Sequence, residues 1–467
     1  MDALIIYTDW FFLGYFLALN SAYALLILLS FREVFVEKLK FSKSVLLEAS
    51  SDRYTPPISI IAPAYNEEAT ILTSVRALLS LNYPEFEVIV VNDASKDSTL
   101  ELLIENFQLY HVEPIFKALL KTAEVKAIYR STIFKNLTIV DKFNGGKADA
   151  LNCGLNISKY PLFCGIDADT LILPNALLEL ARPFIQDPSR TVVSGGTIRI
   201  ANDCKINKGL VEEVCLPKNI WANFQTVEYL RAFLFGRIGW NVIGGTLIIS
   251  GAFGLFKRST VMSVGGYASD SVGEDMELIV RIHRMQREAG KPYSIRFVWE
   301  SVCYTEVPES GQILSRQRDR WQRGLIDSLW RHKRMFLNPR YGVIGMISFP
   351  FFVFFELLGP LIELLGLIMI SISYLAGYLD SGFMLLFISV SMLFGSMISV
   401  GTLILEELTF GLYPGWRSLT QLVAYAFLEN IGYRQLTLSW RLRGIWGAIK
   451  GDHGWGEMVR KGFGTPS

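Results

Sequence analysis

Apolar residues gather in long blocks toward both ends of the chain, and the stretch between them alternates short apolar runs with amphipathic ones. Trp10 to Phe31 holds 22 positions without a charge. At about 1.5 Å per helical residue this is enough to cross roughly 30 Å of hydrocarbon. A second block runs from Gly342 to Leu379, broken only by Glu356 and Glu363. Pro350 and Pro360 divide it into an interfacial helix and a crossing near Leu364 to Leu379, because proline ends or kinks a helix. Asp380 closes that block, and Ser381 to Leu405 gives 25 more uncharged positions and a further crossing. The last block, Ser418 to Trp440, carries Glu429 and Arg434 and reads as interfacial or re-entrant.

Between the blocks the period changes. Strand-length runs (Pro57 to Tyr65, Phe86 to Asp93, Leu137 to Lys142, Pro161 to Asp169) alternate with helical patterns. Near-continuous apolar strands separated by amphipathic helices predict a largely parallel α/β sheet covered on both faces. In such sheets the ligand sits beyond the carboxyl ends of the strands. Polar residues fall there: Tyr65, Asn66 and Glu67 after the first run, Asn92 and Asp93 after the second, Asp167 and Asp169 after a later one.

Composition narrows the class. The 467 residues include 45 Lys+Arg against 44 Asp+Glu, a formal net charge of +1, and 51% hydrophobic residues. A disordered chain needs low hydrophobicity and high net charge, and a nucleic-acid binder usually shows a basic excess, so neither class fits. The mean hydropathy of +0.32 agrees with membrane segments. No Lys or Arg precedes Trp10, whereas Arg32, Lys38, Lys40 and Lys43 follow the first block, which places the middle of the chain in the cytoplasm. The five cysteines are widely spread with no C-x-x-C pair, and read as small buried side chains in a reducing compartment.

Four short patterns carry candidate chemistry. Asp167-Ala168-Asp169, read as an extended strand end, projects two carboxylates to one side, and such hard oxygen ligands suit Mg²⁺ or Mn²⁺ bridging a diphosphate; alone, a D-x-D is as often part of a solvated turn. Asn144-Gly145-Gly146-Lys147 lies between a strand end and a helix start, where free backbone N–H groups and a lysine suit a phosphate; alone it is equally a glycine turn. Gly273-Glu274-Asp275 opens an amphipathic helix, where acids ordinarily complement the helix dipole, and Asp275 is the candidate general base. Gln317-Arg318-Asp319-Arg320-Trp321 sits in a basic stretch that is either a lipid-facing patch or a source of donors and a stacking face.

Taken in order, Tyr65-Asn66-Glu67, Asp93, Gly146-Lys147, Asp167-x-Asp169, Gly273-Glu274-Asp275 and Gln317-x-x-Arg320-Trp321 before membrane helices closely resemble the membrane-embedded processive family-2 glycosyltransferases, such as cellulose, chitin, hyaluronan and poly-N-acetylglucosamine synthases. The resemblance implies an α/β GT-A (Rossmann-like) cytoplasmic domain plus an α-helical transmembrane region. It divides the chain into an anchor (1–35), the catalytic domain (36–341), transmembrane and interfacial helices (342–440) and a cytoplasmic tail (441–467). It implies that Tyr65, Glu67 and Asp93 hold uridine, that Lys147 contacts the diphosphate, and that Asp167 and Asp169 form the metal and nucleotide motif, with Asp169 the ligand of Mg²⁺ or Mn²⁺. Asp275 would be the base of an inverting displacement, and Gln317, Arg320 and Trp321 would lie against the donor pyrophosphate and the acceptor end.

The implied partners are a UDP-sugar donor, a growing glycan or lipid acceptor, membrane lipids and accessory export subunits, with no nucleic acid, in a multi-pass protein of a bacterial inner membrane. Glu356, Glu363 and Glu429 either line a polar path for sugar or face headgroups. Two products stay open, an exported β-linked polysaccharide or one or two sugars on a membrane lipid, and beside them a catalytically silent membrane scaffold or export subunit. Here Ser250-Gly251-Ala252-Phe253-Gly254 stands where cellulose synthases carry an F-F-C-G-type motif, so sugar and linkage also stay open.

Overall fold

The computed structural model describes residues 2–40, 55–113, 116–207, 209–378, 381–413 and 415–451. Among the described residues twelve strands are interspersed with helices. The strands are β1 (Ile58–Ala64), β2 (Phe86–Asn92), β3 (Leu109–Val112), β4 (Val125–Ser131), β5 (Leu137–Lys142), β6 (Leu162–Ile166), β7 (Thr170–Ile172), β8 (Thr191–Ile200), β9 (Lys205–Asn207), β10 (Leu210–Glu213), β11 (Phe253–Lys257) and β12 (Ser294–Thr305). Ten form one sheet in the order β3-β4-β5-β2-β1-β6-β11-β8-β12-β7, and β9 pairs with β10 apart from it.

The expected parallel order holds in two blocks, β5-β2-β1-β6 and β8-β12, and the sheet as a whole is mixed. β5, β2, β1 and β6 run parallel, but β11 lies antiparallel between β6 and β8, and β3, β4 and β7 are also antiparallel to their neighbours. The parallel strands are buried on both faces, which is why they read as continuous apolar runs: every residue of β1 except Pro63 is buried.

The helices used below are α1 (Asp2–Lys40), α2 (Ile71–Leu79), α3 (Thr99–Asn106), α4 (Lys147–Ile157), α5 (Ala176–Gln186), α6 (Ile220–Leu230), α7 (Glu274–Glu288), α8 (Gly311–Arg331), α9 (Gly359–Leu375), α10 (Ser381–Thr409), α11 (Trp416–Leu428) and α12 (Arg434–Ile449). α4 packs on β1 so closely that a Cβ on Gly154 would come 2.3 Å from Ile61 Cγ2. Register does the rest. Ala64 pairs with Asn92 and Asn92 with Asp141, so Tyr65, Asp93 and Lys142 leave or end their strands at one edge of the sheet. Asp167 follows β6 at that same edge.

Among the described residues two helices are long and apolar enough to cross a membrane, Trp10–Glu37 within α1 and Met392–Thr409 within α10. A third is added if Ile344–Leu357 and α9, bent by 45°, count as one span. The expected break in the second block is thus present, at Leu358 beside Pro360. The expected turn at Asp380 lies outside the described residues. α11 and α12 are separated by non-helical backbone at Ile431 and Gly432. α12 lies along α8, where a Cβ on Gly444 would meet Asp319 O at 2.7 Å and Gln322 Cβ at 2.8 Å.

Polar bridges tie the sheet to the apolar helices. Arg199 at the end of β8 makes a bidentate pair with Glu406 of α10, 2.8 and 2.9 Å, and both are buried. Trp299 Nε1 donates to Glu37 Oε2 at 2.7 Å. The three glutamates expected to line a path or face headgroups each have an arginine partner: Arg441 for Glu356, Arg434 for Glu363 and Arg231 for Glu429. Leaving a carboxylate alone in an apolar setting costs several kcal/mol, and a guanidinium partner offsets much of it. The cysteines of the described residues are all free thiols.

Candidate active site

The carboxyl ends of β1 and β2 are laced together by their loops. Asn66 adopts φ 55°, its N–H donates to Ser95 Oγ at 3.0 Å, and its side-chain oxygen accepts from Lys96 N at 2.8 Å. Glu67 N donates to Thr99 Oγ1, while Thr70 Oγ1 donates to Glu67 Oε2 at 2.8 Å. Tyr65 stands exposed above this loop.

Asp93 is buried, and its carboxylate gathers Lys142 Nζ at 2.6 Å, Gly145 N at 2.9 Å and Gly146 N at 2.7 Å. The glycine amides expected to be free for a phosphate are therefore already satisfied by an internal carboxylate. Lys142, fully buried, also pairs with Asp149 at 2.6 Å. Burial opposes its charge, but Asp149 and Asp93 outweigh burial and hold the ammonium above its usual range.

Gly146, at φ 85°, turns the chain into α4 and starts it at Lys147. Lys147 Nζ lies 2.5 Å from Asp167 Oδ1 and 3.8 Å from Glu274 Oε1. Burial disfavours this ammonium, yet Asp167 and Glu274 keep its pKa above the ordinary value. Asp275, next along α7, accepts from Gly251 N at 3.1 Å and from Met276 N at 2.7 Å. A Cβ on Gly251 would sit 3.2 Å from Lys147 Nζ and 3.4 Å from Asp275 Cβ, so Gly251 forms a floor between them.

Asp167-Ala168-Asp169 differs from the extended end expected. Thr170 N donates to Asp167 O at 3.0 Å, which closes a turn between β6 and β7. The alternation of an extended strand no longer applies: Asp167 is half-buried toward Lys147, and Asp169 is 1% exposed. Among the described residues no three His, Cys, Asp or Glu side chains gather as a ready metal site. A divalent ion here would rely on one or two carboxylates and complete its shell with diphosphate oxygens and water, the mode that Mg²⁺ and Mn²⁺ adopt beside phosphates. The donor set fits such an ion.

Gln317, Arg320, Trp321 and Gly324 share one face of α8 by their three- and four-residue spacing. Gln317 is buried with Oε1 lacking a hydrogen-bond partner, and the half-exposed Trp321 ring is covered by the Arg318 guanidinium at 4.3 Å. The charge of Arg320 is felt at Glu274. Thus Lys147, Asp167, Glu274, Asp275 and Arg320 are brought together. Tyr65, Glu67 and Asp93 stand on the neighbouring strand ends, with Asp93 joined to the group through the Gly145-Gly146 loop.

Sequence reasoning missed two groups. Burial pushes Glu274 up to about 7, with Lys147 pulling it down and Asp275 pushing it further up. Arg237, on the π-helical turn Arg231–Arg237 after α6, is held at about 10 by burial, with the charge of Asp275 opposing the fall. A glutamate beside a candidate base was visible as Gly273-Glu274-Asp275; nothing local marked Arg237.

An α/β sheet with acids and a lysine at its carboxyl edge and apolar helices at both ends defines a class before any comparison. Residues 163–399 match the family described as Glycosyl transferase family group 2, and residues 59–118 match Glycosyl transferase family 2. The chain belongs to the family 2 glycosyltransferases. It is 30% identical over 297 residues to a poly-beta-1,6-N-acetyl-D-glucosamine synthase of Staphylococcus epidermidis, covering 64% of this chain and 61% of that protein. The same synthase from Staphylococcus aureus is 30% identical over 277 residues, 59% of this chain and 56% of that one. The chain thus spans about three fifths of these relatives. Among solved structures, a mannosyltransferase of Pyrobaculum calidifontis in complex with GDP-Man and Mn²⁺ aligns at a TM-score of 0.53 and 18% identity, over 90% of this chain and 99% of that one, and so shares the fold.

Proposed function

We propose that this glycosyltransferase is an inverting, metal-dependent enzyme that uses a cytoplasmic UDP-sugar to elongate a β-linked polysaccharide and passes the product into the membrane. The observation that carries the reading is the grouping of Lys147, Asp167 and Glu274 with Asp275 at the carboxyl edge of the parallel strands. The similarity to poly-beta-1,6-N-acetyl-D-glucosamine synthases supports an N-acetylglucosamine donor.

In this reading Asp275 takes the proton from an acceptor hydroxyl, whose oxygen attacks the anomeric carbon as the bond to UDP breaks on the opposite face. Gly251 N steadies the carboxylate. Lys147, charged beside Asp167, meets the departing diphosphate, and Arg320 adds a second cation. Tyr65, Glu67 and Asp93 hold the uridine end, and Gln317 and Trp321 the acceptor end. A divalent ion, held by Asp169 with Asp167, would supply charge neutralisation for the diphosphate when bound. The apolar helices, the candidate spans and the arginine-paired glutamates support residence in a membrane, with the sheet on the cytoplasmic side by the positive-inside distribution.

The test is product size. Purified protein in detergent with Mg²⁺ or Mn²⁺ is offered radiolabelled UDP-N-acetylglucosamine, UDP-glucose and UDP-glucuronate in turn. A high-molecular-weight product cleaved by one specific glycanase is expected from the first. Label confined to one or two sugars on lipid would replace the polymerase by a glycolipid enzyme, and activity unaffected by chelation would remove the metal.

A further inference from the structure

A cavity of about 470 Å³ opens between α7, the end of α8, α4 and the loop at 265–270, away from the candidate spans. It lies beyond the donor site, past Glu274 and Asp275 along α7. Its lining carries Lys121, Arg281, Arg284 and Arg331 against only Asp270 and Glu277. Both acids are already answered: Arg331 Nη1 donates to Asp270 Oδ2 at 3.0 Å while its Nε donates to Asp327 Oδ1 at 2.7 Å, and Arg281 Nη2 donates to Glu277 Oε2 at 2.8 Å, which leaves Lys121 and Arg284 as the lining cations without a carboxylate among the described residues. His332 Nε2 also stands 3.1 Å from Glu277 Oε1.

Other groups are not answered. The Nε atoms of Arg281 and Arg284 and the Nδ1 of His332 are buried without a hydrogen-bond partner, although His332 is only 2% exposed. Buried polar atoms are ordinarily satisfied, so these three leave hydrogen-bonding capacity in the wall, while Lys121 and Arg284 are lining cations paired with no carboxylate among the described residues. Lys121 adds an exposed ammonium at the mouth. The wall is already built. Arg281 donates to Val264 O and Gly266 O, both at 2.7 Å, and Asn152 bonds both the N and the O of Tyr267. Gly265 and Gly266 hold φ of 92° and 74°, and a Cβ on Gly266 would strike Asn152 Oδ1 at 2.4 Å.

Guanidinium and ammonium donors in excess over carboxylates select an anion, and the planar guanidinium suits phosphate oxygens. The volume exceeds what a single phosphate needs and falls in the range of about 300–1,000 Å³ typical of small-molecule sites. No lining residue comes from a candidate membrane span, which favours a soluble ligand over a lipid headgroup. We propose that this cavity binds a soluble phosphate-bearing small molecule of nucleotide size, at a site separate from the sugar donor.

The experiment titrates inorganic pyrophosphate, then UMP, into the full-length protein in detergent by calorimetry. The double background Lys147→Ala with Tyr65→Ala weakens both the diphosphate and the uridine ends of the proposed donor site and leaves the cavity. Saturable binding is expected, weakened at least about tenfold, or about 1.4 kcal/mol, by Arg284→Ala and by Lys121→Ala. UMP binding tighter than pyrophosphate at the same site identifies a nucleotide, and equal or weaker binding a simpler phosphate ester. Absence of saturable binding, or binding that neither variant weakens, overturns the proposal. Lys121 is exposed, so its variant decides the matter even if Arg284→Ala fails to fold.

Discussion

Gly273 and Gly324 meet backbone to backbone: a Cβ on Gly273 would lie 2.8 Å from Gly324 Cα, and one on Gly324 would lie 2.9 Å from Gly273 Cα. Gly273 has φ −119°, so contact and not torsion requires glycine there. The start of α7, with Glu274 and Asp275, is thereby pressed onto the face of α8 that carries Gln317, Arg320 and Trp321. Gly324→Ala must push the two helices apart. It is expected to cost about 1–3 kcal/mol, as overpacking does, and to lower transfer through displacement of Asp275. Thermal unfolding in detergent and initial rates on one preparation check both.

Asp275 and Lys147 are expected to fail differently. Asp275→Asn keeps one of the two backbone hydrogen bonds, from Gly251 N or Met276 N, but removes the proposed base, so turnover should fall by about 10²–10⁴ with little change in donor affinity. Lys147→Met removes a cation from the diphosphate and should raise KM for the UDP-sugar as well. Equal effects on both constants in both variants would contradict the separation of roles.

Glu274 makes stability depend on pH. Its folded pKa, about 7, stands above the ordinary 4.5, so folding favours the protonated form. That contribution is complete below the unfolded value and is lost as pH rises through the folded one. Wild type should therefore lose stability relative to Glu274→Gln as pH rises from about 4.5 through about 7. Melting temperatures of the pair across this range test it; parallel curves would refute the shift.

The buried pair of Arg199 and Glu406 is expected to matter more when broken than when replaced. Arg199→Met strands a buried carboxylate at a cost of about 3–5 kcal/mol, whereas adding Glu406→Gln should recover much of that loss. A double-mutant cycle in unfolding measurements reads the difference.

The central strands were legible because burial on both faces leaves an unbroken apolar run, and register then carries Tyr65, Asp93 and Asp167 to one edge. The antiparallel insertion of β11 was not legible, since an apolar run has no written direction. Asp167-Ala168-Asp169 misled because a strand end and a tight turn can share one sequence. Lys142 was hidden for another reason: a lysine ending a strand reads as solvated unless its distant partner, Asp93, 49 residues back, is known. The arginine partners of Glu356, Glu363 and Glu429 lie 85, 71 and 198 residues away, and no local pattern announces them. The resemblance to family 2 glycosyltransferases came from the order of motifs along the chain, which survives even where their local geometry is misjudged.

α8 is held on two opposite sides. Gly324 abuts Gly273 on one, and on the other α12 approaches until Gly444 touches Asp319 and Gln322 and Gly447 nears Arg323. With glycines at both contacts the backbones approach closely and little slack is left to absorb a displacement. α12 therefore acts as a splint: a twist or pull applied to it is passed to α8 and so to Trp321 and Arg320, and whatever holds α12 also sets the alignment of that face.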